Sequence, residues 1–158
     1  MNRLYGWAPV GEQAVILAET KGKRLSVIGT MGERGPQAMM SYEGSLNEKR
    51  MLTYIADHLG PTLKKGDIVV MDGLRVHKTK AVLAALESYG ATALILPPYS
   101  PELNPIEPLW STMKARIRAV GASTWEELVD RVALTWNTMD LVFFPHWVAA
   151  CGYKVPST

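Results

Sequence analysis

Only one cysteine, Cys151, occurs in the 158 residues, so no internal disulfide can staple the fold, and the usage suits a reducing cytosol. No apolar run approaches the roughly 18–20 residues of a membrane span. The opening MNRLYGWAPVG lacks the continuous apolar stretch of a secretory signal. Neither charge sign dominates: the net charge is +2, and any attraction to a polyanion must come from where the cations sit. Internal repeats, low-complexity tracts and linker-like shifts in composition are also missing. What is present is a chain of one domain's length, 47% hydrophobic and 20% charged, which argues for a packed core and against disorder. The expectation is a single domain over residues 1–158, cytoplasmic and without a membrane partner.

The first third reads as strands and turns. AVILAET (Ala14–Thr20) and RLSVIGTMG (Arg24–Gly32) are β-rich, with KGK between them as a hairpin turn. QAMMSYEG (Gln37–Gly44) follows the breaker GERGP as a returning strand. Ser45 with Glu48 three residues on has the form of a capping box. Leu46, Met51, Leu52, Ile55 and Leu59 then form an approximate helical stripe that stops at Gly60-Pro61. GDIVVMDG (Gly66–Gly73) and ATALILPP (Ala91–Pro98) are short apolar runs of the kind buried on both faces, with the helix KTKAVLAALESYG (Lys78–Gly90) between them. That order predicts a βαβ unit with parallel neighbours. Ile106, Trp110, Met113 and Ile117 space out a further helix, and a last one runs from about Thr124 through Trp125, Leu128, Val129, Val132 and Trp136. The tail LVFFPHWVAACGY is expected to pack on the domain. The fold class is α/β with a mixed sheet.

Two acids fall at element ends. Asp72 closes the first buried run, and ligand sites of open α/β sheets gather at the carboxyl ends of strands. The bland alternative is that Asp72-Gly73 is turn chemistry. Glu107 lies in PPYSPELNPIEPLW (Pro97–Trp110), whose five prolines stiffen the entrance to a helix. Asn104 as cap and Pro105 at the first helical position would put Glu107 in a capping box, whereas a helix starting at Pro108 would leave it at the entrance. Glu107, Ser111, Lys114 and Arg118 share one helical stripe, fit for a metal-bound phosphodiester or, more blandly, for a solvated face. Thirty-four residues separate Asp72 from Glu107. Two carboxylates on separate rigid elements suit hard cations such as a pair of Mg²⁺ ions, which can assist an in-line phosphoryl displacement. Glu102, in the proline loop, is expected to face solvent.

VVMDGLRVHKTKAV (Val69–Val82), followed after the next strand by LPPYSPELNPIEPLWSTMKARIR (Leu96–Arg118), resembles the catalytic domain of mariner-like DDE transposases, in their bacterial insertion-sequence branch. RLYGWAPVGE and the VIGTMG…MSYEGS segment extend the resemblance over nearly the whole chain. It implies a ribonuclease-H-like mixed sheet flanked by helices, and Mg²⁺- or Mn²⁺-dependent DNA cleavage and strand transfer with two ions in a complete site. Asp72 and Glu107 would be the second and third acids of the triad and the metal ligands. His77, five residues past Asp72, is a candidate near the scissile phosphate, or else a surface histidine at a helix start. Lys78, Lys114 and Arg118 are candidate phosphate contacts, as an alternative to wet helix faces.

The sequence departs from the family at its beginning. The family's first aspartate lies on a strand upstream of GWAP, and the six residues MNRLYG that precede Trp7 contain no acid. A helix-turn-helix region is likewise missing, and Gly73 stands where Asn often follows the second acid. These departures imply a domain without its first strand. An upstream transposase segment would then supply the first Asp and the helix-turn-helix, with a homodimer as the assembled form. The leading function is a transposase catalytic-domain fragment acting on transposon ends and target DNA in the bacterial nucleoid. The alternatives are an inactive remnant or downstream half of a split transposase, and a DNA-binding or oligomerising module built on the same scaffold.

Overall fold

The computed structural model describes residues 23–32 and 35–154. The strand expected at Ala14–Thr20 and the turn leading from it lie outside the described residues. Strand β1 (Leu25–Gly32) pairs antiparallel with β2 (Gly35–Glu43), in register from Leu25↔Glu43 to Gly32↔Gly35. Helix α1 (Glu48–Tyr54) follows, then β3 (Ile68–Met71), α2 (Lys80–Ser88), β4 (Thr92–Ile95), α3 (Ile106–Val120), α4 (Trp125–Asn137) and α5 (Phe144–Ala150). β3 and β4 are parallel, Ile68↔Thr92 to Met71↔Ile95, as the βαβ reading requires. Among the described residues the strands form two two-stranded sheets, not one mixed sheet: no ladder joins β1 to β3.

The hairpin is the middle layer. Ile28 and Ala38 point to one side, into a core built with Met51, Tyr54, Ile55 and Leu59, and with Val82 and Leu86 of α2. Leu25 points to the other side, into a second core with Leu109, Met113 and Ile117 of α3 and Leu128, Val132 and Trp136 of α4. Alternation along a strand makes this two-sided packing possible. Gly29 lies under the second core, where a β-carbon would sit 2.6 Å from Trp136 and 2.9 Å from Trp110. Those two indoles pack with their ring centroids 5.6 Å apart, so the missing side chain at Gly29 makes room for them. Tyr54 ties α1 to both strands: its hydroxyl lies 2.6 Å from Thr30 Oγ1 and donates to the Ala38 carbonyl at 3.1 Å. Burial pushes that phenol well above its ordinary value, even though the Thr30 hydrogen bond opposes the shift.

Several local expectations are corrected. Asn47, not Ser45, caps α1, accepting from the Arg50 amide at 2.9 Å. The Arg50 guanidinium instead bonds the carbonyls of Ser45 and Glu43, which holds the turn after β2 and carries the cap two residues on. The helical stripe past Tyr54 continues as a π turn (Ile55–Leu59) and a short 3₁₀ turn (Gly60–Thr62). The two apolar strands are not buried on both faces. Val69 and Met71 enter the first core, whereas Ile68 is 64% and Leu94 49% exposed. Helices α1 and α2 cover only one side of this pair, so its apolar content exceeds what the described residues bury.

Candidate metal and nucleic-acid site

Asp72 follows the last residue of β3, and its carboxylate is fixed from its own C-terminal side. Oδ1 accepts the Leu74 amide at 3.0 Å, and the same oxygen lies 2.8 Å from His77 Nδ1. The 3₁₀ turn Arg75–Lys78 brings His77 back over the strand end. Partial burial pushes the Asp72 carboxyl up, but the hydrogen bonds from His77 and Leu74 and the charges of His77 and Lys78 outweigh it. The net effect holds Asp72 below its ordinary value, ionised at neutral pH. His77 is only 8% exposed and turned toward Asp72, where it orients the carboxylate at the wall of the cleft.

Glu107 is the second residue of α3. The helix starts at Ile106, between the two starts the sequence left open, and Asn104 contributes its carbonyl to the Glu107 amide at 3.1 Å. Pro108 then falls at the third helical position, where an amide would have no intrahelical partner, so it is accommodated without a lost bond. Desolvation raises the Glu107 carboxyl above its ordinary value, Lys114 opposes that, and the negative charge of Asp72 adds to it. Lys114 is shifted the other way: desolvation lowers it, Glu107 raises it and neighbouring Arg118 lowers it. Glu107, Lys114 and Arg118 of the stripe read from the sequence are therefore electrostatically connected, and Asp72 of the neighbouring strand end joins them through Glu107.

Asp72 and Glu107 line the same cleft, about 1660 Å³ in volume, together with Lys78 and Lys114. One wall is Arg24 and β1 to Gly32, and the opposite wall is β3 with the turn that follows it. Lys78 is exposed, and its Nζ comes 3.6 Å from the point where a β-carbon on Gly73 would sit. The cation thus folds back over the turn that follows Asp72. Arg118 is exposed one helical turn beyond Lys114. Glu102 is exposed, as expected. Sequence reasoning missed Arg75 and Tyr99, which line the cleft as well. Arg75 had a visible signal, a cation three residues past the acid; Tyr99 had none beyond its place among prolines.

Two carboxylates line one cleft; desolvation raises Glu107 and the charge of Asp72 adds to it, and a cation held between them would offset both. Oxygen donors of this kind fit hard divalent ions. Among the described residues no group of three or more metal-ligating side chains is assembled, so Asp72 and Glu107 are a partial set.

Residues 1–129 match the family model described as DDE superfamily endonuclease. The chain belongs to the DDE superfamily endonuclease family. The fold of this DDE chain is that of mariner catalytic domains, ribonuclease-H-like and mixed α/β. The crystal structure of the catalytic domain of Mos1 mariner transposase superposes with a TM-score of 0.68 at 16% identity, covering 92% of this chain and 82% of that one. The Mos1 mariner paired-end complex with Mn gives a TM-score of 0.72 at 18% identity, covering 95% and 48%. The Mos1 transposase paired-end complex with the left transposon end gives 0.65 at 19%, covering 98% and 52%. The DDE chain thus spans about half the length of the transposase chains in those complexes. No curated protein matches its sequence significantly. Among the described residues no helix is long and apolar enough to cross a membrane.

Proposed function

We propose that this chain is the catalytic portion of a bacterial insertion-sequence transposase, cutting DNA at transposon ends and joining it to a target. The observation that carries the reading is the cleft that Asp72 and Glu107 line together, with the charge of Asp72 reaching Glu107. Asp72 and Glu107 would hold Mg²⁺ or Mn²⁺, two ions in a complete site. When bound, such ions supply Lewis-acid stabilisation to both the attacking and the leaving oxygen of an in-line phosphoryl displacement. The chain's own residues do the rest. His77 and the Leu74 amide hold Asp72 ionised and fixed in direction. Lys78, Lys114 and Arg118 neutralise phosphates and set the register of the DNA against the acids.

A segment upstream in the same transposase would complete the site. The cleft is lined by consecutive residues of β1 and of β3, so it runs along the edge of each strand that has no ladder partner among the described residues. A strand added there would pair with both edges, join the two sheets and end beside Asp72, bringing the further carboxylate. Unpaired edges of this kind are templates for strand addition. The second reading, a remnant that keeps DNA binding alone, is favoured by the incomplete donor set among the described residues.

The deciding experiment joins the chain to the coding segment upstream of it and measures divalent-metal-dependent nicking of supercoiled DNA. Nicking that Asp72→Ala and Glu107→Gln each abolish supports the transposase. Metal-dependent nicking unaffected by Asp72→Ala, or no nicking from the extended chain, sinks it in favour of the remnant.

A further inference from the structure

Tyr99 lines the cleft without a role among the acids and cations described so far, yet the loop that carries it is built to hold it. Its φ is 57°, and it is the one non-glycine residue with positive φ among the described residues. A bulky L-residue in that region is held there against a steric preference. Burial does not offset the strain, because Tyr99 is 81% exposed. The loop is nevertheless anchored at both ends. The Leu96 amide donates to the Met71 carbonyl at 2.8 Å, and the Tyr153 hydroxyl donates to the Leu103 carbonyl at 2.9 Å. Pro97 and Pro98 precede Tyr99, and Pro101 follows it, removing most of the remaining backbone freedom.

The loop also has a definite place. The Leu96 carbonyl lies 4.0 Å from where a β-carbon on Gly73 would be, so the loop leaves the sheet beside the Asp72-Gly73 turn. Tyr99 follows three residues later and lines the same cleft as Asp72, Glu107, Arg75 and Lys78. A strained, exposed aromatic ring on a stiff loop, in a cleft that cations also line, has the make-up of a stacking platform for unpaired bases. We propose that Tyr99 stacks on an unpaired base of the DNA adjoining the scissile phosphate, fixing that strand relative to the two acids. The inference rests on the DNA-processing reading above and adds to it a preference for single-stranded ends.

The test uses the full chain without added metal, so that no strand is cut. One probe is a blunt hairpin duplex, and the other is the same duplex with a short single-stranded overhang carrying 2-aminopurine. Wild type and Tyr99→Phe should bind the overhang probe more tightly than the blunt one and quench its emission. Tyr99→Ala and Tyr99→Gly should lose the quenching and about tenfold in overhang affinity, with blunt binding unchanged. Tyr99→Gly also removes the strain, so equal behaviour of the two variants assigns the loss to the ring. Overhang affinity and quenching retained in either variant would overturn the platform. The same result from wild type on blunt and overhang DNA, with both weakened by a Lys114→Ala/Arg118→Ala double variant, leaves the DNA reading standing and removes only the role of Tyr99. No binding of wild type to either probe removes both.

Discussion

The two pairs of strands in this protein are treated differently by their surroundings. The β1–β2 hairpin has a helical layer on each face, one core closing around Ile28 and Ala38 and the other around Leu25. The β3–β4 pair is covered on one face, leaving Ile68 and Leu94 open among the described residues. The pair with less cover carries the two candidate acids: β3 leads into Asp72, and β4 leads through the proline loop to Glu107. Burial supplies most of the stability of a domain, and a cleft open to a ligand cannot sit where burial is complete. The hairpin is the framework, and the parallel pair borders the cleft.

That contrast can be tested by truncating one residue from each region. Trp136→Ala, beneath the hairpin and 6% exposed, should cost about 3–5 kcal/mol of unfolding free energy. Leu94→Ala, on the open face, should change it by no more than about 0.5 kcal/mol. Urea unfolding of both variants checks the pair, and comparable losses would mean that the open face is covered in solution. Gly29→Ala should come next, costing about 1–3 kcal/mol by forcing the two indoles apart, without affecting the acids. Tyr54→Phe should cost about 1 kcal/mol, because Thr30 and the Ala38 carbonyl lose their shared partner.

The smallest effects, and the most informative, belong to the acids. The Asp72 carboxyl lies below its ordinary 3.8, so its contribution to stability is present above that value and is lost as pH falls through the lower, folded one. Asp72→Asn should therefore be slightly destabilising at neutral pH, with the difference from wild type vanishing in acid. The Glu107 carboxyl lies above its ordinary 4.5, so the folded state holds that proton more tightly and stability falls as pH rises from 4.5 through the folded value. Glu107→Gln should then melt slightly higher than wild type at neutral pH while binding Mn²⁺ more weakly. Thermal melts and isothermal titration at several pH values check both signs. A lower melting temperature for Glu107→Gln would show that the carboxylate is a structural partner, and the cation site would lose its electrostatic basis.

Much of this could be read from the residues in order. Thr124 was expected at the start of the last helix and caps it, accepting the Glu127 amide at 3.1 Å. The βαβ unit and the parallel pairing follow from strand, helix and strand with short joins. Less was legible where a side chain's partner is distant or its cover is unknown. His77 reads equally as a surface group or a DNA contact, and only the 3₁₀ turn that folds it over β3 assigns it to Asp72. Leu109, fully buried in the second core, lay outside the stripe drawn through Ile106, Trp110, Met113 and Ile117, because α3 packs on a face rotated slightly from that line. Continuous apolar runs such as IVVM signal a strand but not how many of its faces are covered.

The sequence by itself determined the order of elements, the placing of Asp72 and Glu107 at element ends and the family to which the chain belongs. These depend on periodicity, caps and short motifs, which act over a few neighbouring residues. The tertiary structure decided that the two acids share one cleft, that His77 turns inward and that Tyr99 is held out under strain. It also decided that, among the described residues, one pair of strands is covered on both faces and the other on one. Those outcomes depend on which surfaces meet after the chain has folded back on itself, and burial, electrostatic coupling and strain are properties of that meeting.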